Sequence, residues 1–154
     1  MNISQRIRTS TLFKDVEPHV LSELERIAFT RTYPGDEVIF LELSEGNELF
    51  IIDSGTVSIQ FALANQDQHY QIVELGPGDV LGEVSFIENG QRSATAIAET
   101  DVQMVVLECD RLRQICEQNP VSGYKILMAV SRILCERLRR WNIRMLDSAN
   151  WGML

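Results

Sequence analysis

The 154-residue chain has few cysteines, histidines, prolines and aromatic residues, and each scarcity closes off a class of protein. Cys109, Cys116 and Cys135 form no Cys-x-x-Cys pair and no even framework, which argues against a disulfide scaffold and fits reduced thiols in a cytoplasmic protein. With His19 and His69 as the only histidines, most zinc constellations are ruled out, and no metal is expected. No run of 18 apolar residues exists, so no membrane span is expected, and the polar first ten residues lack the apolar core of a secretory signal. Positive charge is also short, with 14 Lys+Arg against 22 Asp+Glu. The resulting −8 opposes a sequence-independent grip on nucleic acid or an anionic membrane.

What is present is enough apolar side chain, 45% of residues, to bury the core of one domain. The charge is unevenly spread. Residues 1–110 sum to −13, residues 111–144 to +6, and Asp147 restores the total. Residues 1–11 read as a flexible N-terminus, and Val16–Phe29 reads as a helix from the spacing of Val20, Leu21, Leu24, Ile27 and Ala28. Turn signals at Tyr33–Asp36, Ser54-Gly55 and Gly76–Asp79 then punctuate short strand candidates. These are Glu37–Leu41, Glu48–Asp53, Thr56–Leu63, Tyr70–Leu75, Ser93–Ala98 and Val102–Leu107, with a polar hairpin loop at Ala64–Gln68. Such spacing predicts an antiparallel roll or barrel. A helix capped by Asp110 runs to Gln118, and a long helix follows Asn119-Pro120, from about Val121 to about Leu146. The parts are thus 12–29, 30–108 and 109–146 of one domain, with a tail at 147–154 that holds Trp151.

The segment Leu81–Thr95 carries the chemistry. Gly82 and Glu83 follow a strand at the first turn of a short helix, where free amides make an anion site and glycine lets an anion approach the backbone. Nine residues after Glu83, Arg92 offers a planar fork suited to two phosphate oxygens. Glu83 beside the same anion is tolerable if it accepts a hydrogen bond from a ligand hydroxyl and pairs with Arg92.

This segment resembles the phosphate-binding cassette of the cyclic nucleotide-binding domain family: Gly82-Glu83, then nine residues to Arg92, then Ser93-Ala94. The likeness extends to Leu12-Phe13, Pro34-Gly35-Asp36, Leu49–Ile52, Gly55-Thr56-Val57 and Leu75–Asp79, and so covers about residues 12–146. It implies a mainly β fold with flanking helices: a double-stranded β-helix, or jelly-roll β-roll, with N-terminal helices and a long C-terminal dimerisation helix. It also implies a cyclic nucleotide ligand, cyclic AMP ahead of cyclic GMP. Glu83 would hold the ribose hydroxyl and Arg92 the cyclic phosphate, with the backbone of Gly82, Val84 and Ser85 completing the cradle. Ser93 would add a hydroxyl near the phosphate or a guanine edge, and Ile72, Val73 and Leu75 would line base and ribose. The family's Gly-Asp after the second strand is here Leu43-Ser44, with a glycine only at Gly46. That turn must be built differently, and it is expected away from the phosphate.

In the long helix, Tyr124, Leu127, Ser131, Leu134, Leu138, Trp141 and Met145 step by three and four, the seam of a coiled coil and of a homodimer. Packing of the same helix on its own barrel is the alternative. Arg132, Arg137, Arg139, Arg140 and Arg144 flank the seam, as a solvated face or against the acidic barrel. The resemblance puts the lid over the base at Trp141 and Asn142, with Trp141 equally placed as dimer core. Only eight residues follow Leu146, so direct DNA binding is not expected, and no catalytic set accompanies Glu83 and Arg92. The expectation is therefore a stand-alone cytoplasmic sensor, not an enzyme, signalling to an unidentified effector protein. The alternatives are a ligand-free scaffold module, or a transcription-regulator relative acting through heterodimers.

Overall fold

A computed structural model describes residues 2–62 and 69–151, with side chains described for 2–61 and 73–143. Residues 64–68, where a hairpin loop is expected, lie outside the described set. Among the described residues eight strands form in chain order: β1 (Phe29–Tyr33), β2 (Val38–Phe40), β3 (Glu48–Ser54), β4 (Val57–Ala62), β5 (His69–Leu75), β6 (Val80–Leu81), β7 (Thr95–Ala98) and β8 (Val102–Glu108). They make two four-stranded antiparallel sheets of order β1-β8-β3-β6 and β2-β7-β4-β5, the expected roll.

The first sheet is covered on both faces, which is why β3 reads as an unbroken apolar run rather than an alternation. Leu49 and Ile51 of β3, with Val105 and Leu107 of β8, face a core shared with the helices. Phe50 and Ile52, with Met104 and Val106, face inward between the sheets. The two-residue period of the strands thus divides one segment between two cores.

Among the described residues there are also five helices: α1 (Ile3–Thr9), α2 (Pro18–Ile27), α3 (Glu83–Glu88), α4 (Cys109–Gln118) and α5 (Pro120–Trp151). Several boundaries differ from the sequence expectation. Residues 3–9, expected to be flexible, form a helix with a capping box between Asn2 and Gln5, and its Ile7 is fully buried. The helix expected to reach Phe29 stops at Ile27. From Phe29 the chain pairs with β8, Phe29 opposite Val106 and Tyr33 opposite Val102. Asp110 does not cap α4, because the helix begins at Cys109 after Glu108. Asp110 instead sits in the first turn and accepts from Asn47 Nδ2 at 3.0 Å. α5 passes Leu146 and includes Trp151, so residues 147–151 continue the helix rather than form a tail.

The root of α5 is tied to the start of α2. Glu17 accepts hydrogen bonds from Lys125 Nζ at 2.6 Å and from Ser122 Oγ. Those two donors hold its carboxyl down from 4.5 to about 2.

Candidate functional site

α5 and the roll enclose a cavity of about 360 Å³. Its roll side is made by Phe40, Ile59, Phe61, Val73, Leu75, Leu81–Ser85 and Arg92–Ala94. Its helix side is made by Leu134, Arg137, Leu138, Arg140 and Trp141. Gly82, Glu83, Val84, Ser85, Arg92, Ser93, Val73 and Leu75, all singled out in the sequence, therefore converge on one space. Ile72 lies outside the residues whose side chains are described.

Gly82 caps α3 in the left-handed region at φ 79°. A Cβ there would lie 2.4 Å from the Glu48 carbonyl oxygen and 2.6 Å from Arg92 Nη1. Only glycine fits, for conformation and for space. The first-turn amides of Glu83, Val84 and Ser85 have no acceptor within the helix, as at every helix start. Ser85 is 1% exposed and donates weakly to the Gln91 carbonyl at 3.4 Å.

Arg92 is 4% exposed. Its Nη1 donates to the Glu48 carbonyl at 2.8 Å, its Nε is buried without a partner, and its guanidinium carbon lies 4.3 Å from the Phe40 ring centroid and 5.5 Å from that of Phe50. Burial pushes its pKa down, opposed by the charge of nearby groups including Glu48 and Glu83. Among the described residues no carboxylate forms an ion pair with it. A desolvated cation with spare donors at a cavity wall is suited to an incoming anion.

The expected Glu83–Arg92 pair does not form. Glu83, 5% exposed, accepts instead from Nη1 of Arg137 on α5, whose Nη2 donates to the Val80 carbonyl. Arg92 is held away by Glu48 and the two rings, and one α5 side chain ties the helix to both β6 and α3. Of the two readings given to the arginines flanking the seam, Arg137 follows the second, contact with the acidic barrel, but its specific partner was not named. No local pattern reports a partner 54 positions away.

The turn at 41–46 also differs from expectation. It lies against Arg92, not away from it. Leu43 adopts φ 63°, Leu43 N donates to the Arg92 carbonyl at 2.9 Å, and Arg92 N donates to the Ser44 carbonyl at 2.8 Å. Gly46 has no positive φ, yet a Cβ on it would lie 2.1 Å from Arg92 Nε. Glycine is required there by the arginine's bulk alone.

On α5 the expected seam divides. Leu134 is half-buried against the helical core, and Leu134, Leu138 and Trp141 all line the cavity. Trp141 stacks on Phe61 with ring centroids 5.1 Å apart and planes at 24°. That places its indole at the cavity wall, on the roll side of the helix. Asn142 is exposed and does not line the cavity. Tyr124 and Leu127 are exposed, Ser131 is half-buried, and the Met145 side chain is outside the described set. Residues that the sequence reading missed at the cavity are Phe40, Ile59, Phe61, Ala94, Arg137 and Arg140. The strand alternation of Ile59 and Phe61 was the available signal for two of them.

Residues 30–119 match the family model described as a cyclic nucleotide-binding domain. A CRP-like cAMP-activated global transcriptional regulator of Mycobacterium tuberculosis is 31% identical over 136 residues, 88% of this chain and 58% of that protein. A cyclic nucleotide-gated potassium channel of Mesorhizobium japonicum is 34% identical over 116 residues, 75% of this chain and 30% of the channel. The chain therefore spans well under two thirds of the length of these curated relatives. Among solved structures, a cyclic nucleotide-binding domain from Methylobacillus flagellatus superposes with a TM-score of 0.84 at 25% identity, covering 94% of this chain and 83% of that one.

Proposed function

The chain belongs to the cyclic nucleotide-binding domain family, and on that premise we propose that it is a regulatory sensor, not an enzyme, of a 3′,5′-cyclic nucleotide, cyclic AMP first. The observation that carries this reading is Arg92: a buried guanidinium with no ion-pair partner among the described residues, facing a cavity beside Gly82 and Glu83. The cyclic phosphate takes the free donors of Arg92 and the first-turn amides of α3. The ribose 2′-hydroxyl donates to the Glu83 carboxylate, which until then is engaged by Arg137. The base lies against Phe61 and Trp141, whose stacked rings mark an aromatic surface at that end. The sugar and the helix share one carboxylate, so ligand entry changes how α5 is held.

The reading extends to a homodimer. Val121, Tyr124, Met128, Ser131 and Cys135 step by three and four along α5, and all but the half-buried Ser131 are exposed, whereas Leu134, Leu138 and Trp141 line the cavity. This replaces the seam read from sequence, which mixed that outer line with cavity residues. In a parallel pair Cys135 faces its copy, and an effector protein reads the shift of the paired helices. Mild oxidation of the purified protein should give a covalent dimer that Cys135→Ser abolishes; a strictly monomeric species at high concentration overturns the dimer.

Calorimetry with cyclic AMP and cyclic GMP tests the ligand. We expect binding that Arg92→Ala weakens by at least about 100-fold, the scale of a lost charge-assisted contact with phosphate. No binding at millimolar nucleotide sinks the reading.

A further inference from the structure

Arg140 lines the cavity, yet nothing proposed so far uses it. Its position follows from helical spacing. Arg137, one turn earlier, reaches Val80 and Glu83 at the cassette end. Trp141, the next residue, stacks on Phe61 of β4. Arg140 therefore opens at the Trp141 end, where the roll wall is apolar: Ile59, Phe61 and Val73. No ion pair or hydrogen bond engages it among the described residues. It is an uncommitted, donor-only group at the base end of the cavity.

We infer that Arg140 reads the edge of the base and gives the pocket affinity for 6-oxopurine cyclic nucleotides, cyclic GMP above all, in addition to cyclic AMP. The inference rests on the nucleotide reading above. A guanidinium donates and never accepts. Guanine presents two acceptors, O6 and N7, that match its fork. Adenine presents N7 beside an N6 amino donor, so an all-donor group gains at most one bond there and faces a second donor. The C6 substituent lies remote from the glycosidic nitrogen, so a base whose ribose sits at Glu83 carries that edge toward the Trp141 turn.

The test is calorimetry of the full chain with cyclic AMP, cyclic GMP and cyclic IMP. Cyclic IMP carries O6 and N7 without the 2-amino group, which separates the Arg140 contact from any contact at C2 such as one from Ser93. Arg140 is exposed, so its replacement leaves the fold intact. Arg140→Ala is expected to lower the cyclic GMP:cyclic AMP and cyclic IMP:cyclic AMP affinity ratios by about tenfold, the low end of one bidentate base contact. Arg140→Gln, which both donates and accepts, should move the ratio further toward cyclic AMP. Unchanged ratios in both variants overturn the inference while leaving the nucleotide reading intact. Failure of the unaltered chain to bind any of the three overturns both, and does so before any variant is made.

Discussion

On one wall of the cavity, Gly82, Glu83 and Arg92 are fixed by the backbone around them. On the other, Arg137, Arg140 and Trp141 project from a single helix. Arg92 is held by the Glu48 carbonyl, the Phe40 ring and two backbone hydrogen bonds with the 41–46 turn, in space that Gly46 leaves open. The helix wall depends on one arginine fork and one ring stack, and Trp141 is still 42% exposed. On the proposed reading the anion site is thus built in advance, which lowers the cost of binding. The cover is adjustable, as a part that must respond to occupancy has to be.

Two substitutions test this contrast. The larger effect is expected from Gly82→Ala, which forces a Cβ into a left-handed backbone and against the Glu48 carbonyl. A loss of about 3 kcal/mol in urea unfolding, with nucleotide binding abolished in calorimetry, is the expected result. The smaller is Trp141→Ala on the cover. Removal of one stacking ring should weaken nucleotide binding by about fivefold, close to 1 kcal/mol, and leave the urea midpoint of the roll nearly unmoved. If Trp141→Ala unfolds the roll, or Gly82→Ala leaves binding intact, the division into a fixed and an adjustable wall is wrong.

The roll was legible because its turns are written in Gly, Pro and Asp at close spacing, and because Thr56–Leu63 alternates. β6 was not, since two residues carry no period. β1 was not, because Phe29 extends the helical spacing of Val20–Ala28 while Thr30, Arg31 and Thr32 look like a loop until β8 pairs with them. α1 did carry a signal, Asn2 with Gln5 three residues on, but its polar composition outweighed it. In the site, the cassette was legible because its parts are sequential. The partner of Glu83 and the neighbour of Arg92 were not. Arg137 and Gly46 are brought there by the closure of the fold, and neither has a local pattern that points to its contact. The seam was half legible. A three-four spacing marks an apolar face, but two such lines, Leu134, Leu138 and Trp141 at the cavity and Tyr124, Ser131 and Cys135 outside it, read alike until the roll claims the first.

Arg137 gives the long helix a mechanical property as well. It lies only three residues beyond Leu134, where α5 still packs on the helical core with Ile126 and Val130 fully buried, and the root of the helix is pinned by Glu17. Any tilt of the distal helix therefore pivots near Leu134, about 5 Å from Arg137 along α5 at 1.5 Å per residue. On the proposed reading, the hydroxyl that takes Glu83 releases Arg137 and frees only the turns of α5 beyond Leu134, which the core does not hold.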